Sequence, residues 1–265
     1  MAAGAENQDL KVVFIGSGNV ATYLSKAFSQ SGFNVSQIYS RTPDHAKTLA
    51  LSINAMYTSD IHSLDEDADL YVFVVSDHAI EKILSSRQWN NKFLVHMAGS
   101  VPMDVFKNYS SQHGVLYILQ SFSAFREINL EGVPVFIEAS SDENISVLKN
   151  IADKLSLSVH LLDSEKRKYL HLAAMFASNF VNHMFSISQQ ISEKENISFE
   201  WFKPLIVETI SKALIDGPVV AQTGPARRND QSILENHIEM LKDHPEWQKI
   251  YTFVSESIRL MYNKH

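Results

Sequence analysis

Cysteine is absent from this sequence of 265 residues. Its absence excludes a disulfide framework, a thiolate nucleophile and any zinc or iron–sulfur site that cysteine would ligate. Long apolar runs are absent too, since none approaches the roughly 18 residues that a transmembrane helix requires. The segment Met1–Leu10 is polar and acidic and lacks the basic start and apolar stretch of a signal peptide. We therefore expect a cytoplasmic protein with no membrane partner.

An excess of positive charge and several catalytic motifs are also absent. The sequence has 23 Lys and Arg residues against 30 Asp and Glu residues, a formal net charge of −7. Nucleic-acid binding needs clustered Lys and Arg, so nucleic acid is not an expected partner. The 11 histidines show no H-E-x-x-H spacing, and no metal site is expected. Neither a G-x-S-x-G elbow nor a P-loop motif occurs, which disfavours hydrolase and P-loop folds.

Glycine is scarce, with nine residues in the chain, about half the usual share of roughly 7%. Two of the nine follow the β-branched and aromatic run Lys11–Ile15, in the segment Gly16-Ser17-Gly18-Asn19-Val20-Ala21. This is a G-x-G-x-x-A pattern: the first glycine permits a tight turn, the second lets the backbone approach a pyrophosphate, and the small third residue lets helix and strand pack closely. The turn Gly16–Val20 is therefore predicted to bind a dinucleotide, the alternative being an ordinary tight turn.

Strand and helix patterns alternate through the first part of the chain. We predict strands at Lys11–Ile15, Asn34–Tyr39, Leu70–Val75, Phe93–His96, Val115–Leu119, Pro134–Glu138 and Val159–Leu162. Helical patterns lie between several of them, at Asp77–Leu84, Pro102–Tyr109 and Asp142–Leu157. After Asp163 no strand pattern is found, and helical patterns cover about 165–193, 199–214, 230–242 and 246–262. The sequence therefore predicts an α/β domain, residues 1–163, with a doubly wound, mainly parallel sheet of the Rossmann type, followed by an all-helical domain, residues 164–265.

The residues at the strand ends indicate which dinucleotide is bound. Ser40, Arg41 and Thr42 follow the second strand, where NAD-preferring proteins usually carry an acidic residue. A guanidinium flanked by hydroxyls suits a 2′-phosphate instead, so the expected cofactor is NADP. The alternative is that Arg41 is a solvated cation in a loop.

Small and polar residues follow two further strands. Ser76 and Asp77 come after Leu70–Val75, and Ala98 and Gly99 come after Phe93–His96. Because ligands bind outside the carboxyl ends of strands in open α/β sheets, these four residues are predicted to face the nicotinamide ribose and ring. Helix capping is the alternative for Ser76 and Asp77, and the two roles are compatible.

Several segments resemble a known superfamily. They are the GSGNVA turn, the YSRT strand end, His96–Ser100 (HMAGS), Leu119–Phe122 (LQSF), His171–Ala174 (HLAA), Asn179–His183 (NFVNH) and Thr223–Asp230 (TGPARRND). Together they are similar to the Rossmann-like plus DUF2520 proteins, relatives of pyrroline-5-carboxylate reductase, F420-dependent NADP oxidoreductase and 6-phosphogluconate dehydrogenase. The resemblance implies an NADP-binding domain, a helical domain that commonly dimerises, and a cleft between them. It does not supply a substrate.

The resemblance also implies where proton transfer would take place. Several 3-hydroxyacid dehydrogenases of the superfamily carry a lysine four residues before an asparagine on the first long helix of the second domain. Here Asn179 matches that asparagine, but Met175 stands at the lysine position. His171 lies eight residues before Asn179 and has a side chain suited to acid–base work, so both are candidate catalytic residues. The alternatives are a packed or capping role for His171 and a helix–helix hydrogen bond for Asn179.

Six residues are candidates for binding the substrate. Asn182 and His183 are polar residues on the same otherwise apolar helix as Asn179. Arg227 and Arg228, in a Gly-Pro loop, could clamp a carboxylate or phosphate in bidentate fashion, or the loop could be purely structural. Gln120 and Ser121 follow another strand and could face the same cavity.

Two functional hypotheses follow. The first is an NADP(H)-dependent oxidoreductase that transfers a hydride to or from a small, anionic substrate between the domains, working as a homodimer through its helical domain. The second, motivated by Met175 in place of lysine, is a non-catalytic NADP-binding sensor or partner protein.

Overall fold

The computed structural model describes residues 10–123 and 128–262. The chain divides into two compact units between Ser178 and Asn179. Residues 1–9, most of the segment considered for a signal peptide, lie outside the described residues. The domain boundary predicted between residues 163 and 164 stays a prediction.

The first unit is built on one eight-stranded sheet. Its strands are β1 (Lys11–Ile15), β2 (Asn34–Tyr39), β3 (Met56–Thr58), β4 (Leu70–Phe73), β5 (Phe93–His96), β6 (His113–Ile118), β7 (Pro134–Ala139) and β8 (Ser158–Leu161). Their order is β3-β2-β1-β4-β5-β6-β7-β8, and every neighbouring pair is parallel except β6 and β7. This arrangement confirms the predicted doubly wound, mainly parallel sheet.

Helices cover the sheet because its central strands are apolar on both faces. Val12 and Phe14 of β1 belong to one apolar cluster, and Val13 and Ile15 belong to the other. All of β4 is buried, as expected for a central parallel strand. The helices of this unit are α1 (Asn19–Gln30), α2 (Pro43–Ser52), α3 (Asp77–Leu84), α4 (Asp142–Lys154) and α5 (Ser164–Ala174).

In the first unit, one strand and one predicted helix differ from the sequence prediction. Strand β3 was missed because its three residues pair only at the edge of the sheet, and Met56 and Tyr57 are exposed. The helix predicted over Pro102–Tyr109 is wrong: the chain forms only a 3₁₀ turn, Met103–Phe106. Four residues after this turn, the Ser110 hydroxyl donates to the Lys92 carbonyl oxygen at 2.6 Å, just before the chain enters β6.

The second unit is helical. A π-helical turn (Met175–Asn179) follows α5, and the remaining helices are α6 (Phe180–Lys194), α7 (Lys203–Ile215), α8 (Pro218–Ala221), α9 (Pro225–Arg228), α10 (Gln231–Met240) and α11 (Pro245–Tyr262). In the described part of this unit the buried apolar side chains are few: Ile187, Ala226 and Leu234. Among the described helices of the chain, none is long and apolar enough to cross a membrane.

Candidate functional site

The turn after β1 has the geometry that its glycines predict. Gly16 has φ +131°, and a Cβ at this position would overlap the carbonyl oxygen of Val74. Gly18 begins α1 with φ −75°, and a Cβ there would meet no atom within 4 Å. Ala21 is fully buried. The first glycine is therefore required by the protein's own packing, whereas the second leaves open space beside the N-terminus of a helix. That open space fits a phosphate group.

A cavity of about 580 Å³ opens at the carboxyl ends of four parallel strands. Its walls come from the turn after β1, the ends of β2, β4 and β5, the first turns of α1, α2 and α3, and the chain after β6. They include Gly16, Ser17, Gly18, Asn19, Val20, Tyr39, Ser40, Arg41, Thr42, His45, Ser76, Asp77, Met97, Ala98 and Phe122. The cavity lies where the strand order reverses between β1 and β4, the place where doubly wound sheets bind dinucleotides.

All the predicted cofactor-binding residues except Gly99 line this cavity. Hydrogen bonds join its parts: the Ser17 hydroxyl donates to the Ser40 hydroxyl at 2.8 Å, and the Thr42 amide donates to the same Ser40 oxygen at 3.3 Å. The phosphate turn and the end of β2 are thereby held together. These residues form one continuous surface, and their contacts with a cofactor stay a prediction.

The side chains of Ser76 and Asp77, which follow β4, are not used to cap α3. Ser76 is the N-cap residue of α3 by position, but its side chain makes no capping hydrogen bond. The Ser100 hydroxyl donates instead to the Asp77 carboxylate, and the Ser76 hydroxyl lies 3.3 Å from Nε2 of His78.

Sequence reasoning missed His45, Tyr39 and Phe122, which also line the cavity. His45 could have been found, because it lies in the first turn of α2, the helix that begins directly after Ser40, Arg41 and Thr42. Phe122 carries no local signal, since it reaches the cavity only through the path of the chain after β6.

His96 supports the backbone that forms the wall beyond β5. Its Nδ1 accepts the Ala98 amide at 3.2 Å, and the ring is fully buried. Burial, with a smaller contribution from the positive charge of Arg167, lowers the pKa of His96 from 6.5 to about 3. The ring is therefore a neutral hydrogen-bond acceptor that fixes the segment leading to Gly99.

The low pKa of His96 makes stability depend on pH. Below pH 6.5 the unfolded chain binds a proton at this ring that the folded chain does not bind, so the free energy of unfolding falls as pH falls towards the folded pKa of about 3. Between pH 7 and pH 5 we expect this residue to contribute a loss of about 2 kcal/mol. Urea unfolding of wild type and His96→Asn at both pH values measures it. Equal losses in the two proteins would contradict the explanation.

His171 lies beside the same wall, within the first unit. A Cβ at Gly99 would lie 2.6 Å from Cγ and Nδ1 of its ring. Gly99 is thus the residue that lets the imidazole pack against the backbone, one position beyond Ala98 of the cavity wall. The Nδ1 atom is also 3.1 Å from the Tyr117 hydroxyl.

The other predicted residues are not brought to this cavity by contacts within the first unit. Gln120 and Ser121 are exposed, and the Gln120 side-chain oxygen accepts the Ser121 amide at 2.8 Å. In the second unit Asn179, Asn182 and His183 are exposed, and the Asn182 carbonyl oxygen accepts the Ser186 hydroxyl at 3.1 Å. Their predicted roles stay predictions.

Arg227 fastens its own loop. Its guanidinium donates to the carbonyl oxygen of Val220 at 3.2 Å and to that of Gln222, and it lies over the ring of Tyr262 at 5.1 Å. Arg228 is exposed. A separate, mostly apolar cavity of about 280 Å³ lies in this unit, with Ile187, Trp247 and Val254 among its walls. None of the predicted site residues lines it.

Sheet order, phosphate turn and cavity together define a nicotinamide-dinucleotide-binding fold of the oxidoreductase type. Residues 11–99 match the family described as NADP oxidoreductase, coenzyme F420-dependent, and residues 133–258 match the domain of unknown function DUF2520. The chain is 42% identical to a candidate NADP oxidoreductase from Bacteroides fragilis, over 96% of this chain and 99% of that chain, with a TM-score of 0.89. The chain belongs to this family, in which an NADP-oxidoreductase-like domain precedes a DUF2520 domain, as the sequence motifs predicted.

More distant solved structures share the fold. A reductive aminase from Aspergillus terreus in complex with NADPH and ethyl levulinate is 16% identical, over 97% of this chain and 96% of that one, with a TM-score of 0.74. An imine reductase from Myxococcus stipitatus in complex with NADP⁺ is 17% identical, over 94% and 91%, with a TM-score of 0.66. At these identities the similarity concerns the fold alone. No curated protein is significantly similar to the chain.

Proposed function

We propose that the chain is an NADP(H)-dependent oxidoreductase that transfers a hydride to or from a small, anionic substrate. The observation that carries this proposal is the cavity at the switch point of the sheet, which combines an open phosphate turn at Gly18 with a cationic strand end at Arg41. When bound, the nicotinamide supplies the hydride chemistry, and the protein supplies binding, orientation and exclusion of water.

Each part of the cavity has a proposed role. The turn Gly16–Val20 binds the pyrophosphate through backbone N–H groups. Ser40, Arg41 and Thr42 bind the 2′-phosphate, with the His45 ring beside them. The residues after β4 and β5 face the nicotinamide end: Ser76 and Asp77 bind the ribose, and Ala98 leaves room for the nicotinamide ring. His171 acts on the substrate, because its ring packs against Gly99 at that end.

Turnover tests the proposed activity. Imines and keto acids are the first substrates to try, because fold relatives include an imine reductase and a reductive aminase. NADPH oxidation, followed by absorbance across a panel of both classes, should show turnover with at least one compound. Tight NADPH binding without turnover across the panel would favour the second hypothesis, a non-catalytic NADP-binding protein, for which Met175 at the lysine position is the motivation.

Cofactor preference is proposed to depend on Arg41. Replacing it with alanine should weaken NADPH binding about 10- to 100-fold, because a charge-assisted hydrogen bond to phosphate contributes about 1.5–3 kcal/mol. Binding of NADH should change by less than about 3-fold, since NADH has no 2′-phosphate for the guanidinium to bind. Titrations of both nucleotides into wild type and Arg41→Ala measure this. Lys47→Ala is the matched control, because Lys47 is an exposed cation on α2, the helix that follows Arg41, and lies outside the cavity wall. Wild type binding NADH as tightly as NADPH would contradict the preference.

We further propose a homodimer formed through the second unit. Large apolar side chains are left uncovered there: Leu214 and Ile215 of α7 are 81% and 82% exposed, and Phe253 of α11 is 78% exposed. Patches of this kind on a unit with so small a core are typical of protein–protein interfaces. Light scattering at micromolar concentration should give twice the chain mass of 29.9 kDa, and Leu214→Glu should shift the mass towards that of one chain. A wild type with the mass of one chain would contradict the dimer.

A further inference from the structure

A tyrosine and a histidine meet beside the cavity wall, although they are far apart in sequence. The Tyr117 hydroxyl of β6 lies 3.1 Å from Nδ1 of His171 in α5, and the two rings pack edge to face with centroids 5.9 Å apart. Both residues belong to the first unit. The contact is therefore built by the fold of that unit alone.

The direction of this hydrogen bond follows from burial. Tyr117 is 9% exposed, and burial raises the pKa of its hydroxyl, with an opposing but smaller effect from Arg167. The group stays protonated and needs an acceptor. Among the described residues, the acceptor that the hydroxyl reaches is Nδ1 of His171. The hydroxyl therefore donates and Nδ1 accepts, an arrangement in which the imidazole carries its proton on Nε2.

The His171 ring lies next to the backbone that continues into the cavity wall. Gly99 lets the imidazole approach the backbone that follows β5, where an alanine Cβ would lie 2.6 Å from Nδ1. Met97 and Ala98, the two preceding residues, line the cavity. No described residue bonds to Nε2, whereas Nδ1 is bonded to Tyr117. The ring thus has one nitrogen bonded within the protein and one nitrogen without a partner among the described residues.

We propose that Tyr117 is a positioning residue that holds His171 as the Nε2–H tautomer, so that this N–H donates a hydrogen bond to the carbonyl oxygen or imine nitrogen of the substrate. The proposal rests on the proposed function. Donation from a neutral imidazole polarises a C=O or C=N bond towards attack at its carbon by the hydride of NADPH, which becomes NADP⁺. Solvent water supplies the proton that the oxygen or nitrogen gains as the hydride arrives, so the ring keeps its own proton. The proposed substrates are therefore compounds in which the carbon that receives the hydride is double-bonded to an oxygen or nitrogen that can accept a hydrogen bond.

Tyr117→Phe tests the proposal by removing only the hydroxyl and keeping the ring packing. In ¹⁵N NMR of histidine-labelled protein, with the His171 signals assigned through His171→Gln, wild type should show the Nε2–H tautomer. Tyr117→Phe should show a mixture of tautomers or a reoriented ring. Its kcat should fall about three- to tenfold, the effect of one neutral hydrogen bond, while the Kd for NADPH changes less than twofold. Tyr57→Phe, at an exposed position of β3, should match wild type in every measurement.

The readouts separate this proposal from the proposed function. An unchanged His171 tautomer in Tyr117→Phe would overturn the positioning role, and so would a changed tautomer with full kcat. A wild type that binds NADPH but reduces no substrate would defeat the proposed function, while the NMR comparison would still decide whether Tyr117 sets the tautomer. Gly99→Ala gives a second, independent variant, because its Cβ should displace the ring and alter the same signals.

Discussion

Replacing Gly16 with alanine is expected to lower the free energy of unfolding by about 2–5 kcal/mol. Two effects add: a left-handed or related backbone conformation costs an L-residue about 1–2 kcal/mol, and overpacking against fixed backbone costs about 1–3 kcal/mol. Both apply because Gly16 has φ +131° and its Cβ would overlap the Val74 carbonyl oxygen. Urea unfolding followed by circular dichroism measures the loss.

Replacing Gly18 with alanine should instead leave stability nearly unchanged and weaken NADPH binding. Here φ is −75° and a Cβ would meet nothing within 4 Å. Stability should change by less than about 1 kcal/mol, the effect of a poorer N-cap residue. NADPH binding should weaken at least tenfold, because the methyl group would occupy the space through which a pyrophosphate approaches the backbone. Fluorescence titration with NADPH measures this effect.

Gly32→Ala measures the cost of backbone strain alone, without the steric overlap that also affects Gly16→Ala. Gly32 has φ +84°, but a Cβ at this position would meet no atom within 4 Å, so its substitution should cost only the conformational part, about 1–2 kcal/mol. The difference between the Gly16 and Gly32 variants then gives the effect of the Val74 contact. A Gly18 variant that binds NADPH as wild type does would show that the open space beside α1 is not the phosphate site.

Local patterns accounted for the central part of the sheet. The predicted bounds of β1, β2 and β5 coincide with the observed strands, because apolar runs that end at glycine or polar residues carry their own start and stop signals. Residues at the ends of these strands could be assigned to a common cavity for the same reason, since parallel strands place their carboxyl ends at one edge. Only the topology rule of doubly wound sheets was needed in addition.

Contacts between distant segments could not be predicted in this way. Tyr117 was part of a predicted strand and His171 of a predicted helix, but 54 positions separate them and neither pattern indicates a partner. Strand β3 and the 3₁₀ turn Met103–Phe106 show the other limit: both are short, and β3 pairs with the rest of the sheet only along β2. Tertiary contacts override local preference most easily in such short segments.

The second large effect is expected at Arg167, which is 1% exposed. Its guanidinium donates to the Glu138 carboxylate of β7 at 2.7 Å and to the Val101 carbonyl oxygen at 2.6 Å. Ser164 joins the same network, donating to Glu138 at 2.7 Å and accepting from Arg167 at 3.1 Å. These bonds attach the start of α5 to the sheet and to the segment after β5.

Arg167→Ala should lower the free energy of unfolding by about 3–5 kcal/mol, because it leaves a poorly solvated carboxylate without its partner and a carbonyl oxygen without a donor. Lys168→Ala, on the same helix, is the matched control. It removes an exposed ion pair with Glu165 of the same 2.7 Å length, and its effect should stay below about 1 kcal/mol. Urea unfolding of both variants makes the comparison, and equal effects would contradict the importance of burial.

The double variant Arg167→Met with Glu138→Leu tests separately whether the ion pair matters for stability and whether its hydrogen bonds set the position of α5. Removing both charges avoids the unpaired carboxylate, so stability should exceed that of Arg167→Ala. His171 lies four residues after Arg167, on the same side of α5, and its contact with Tyr117 depends on where this helix is held. If the apolar pair recovers stability and also retains the wild-type His171 signals in ¹⁵N NMR, packing alone positions α5. Recovered stability with altered His171 signals would show that the buried arginine sets the position of the helix through its directional hydrogen bonds.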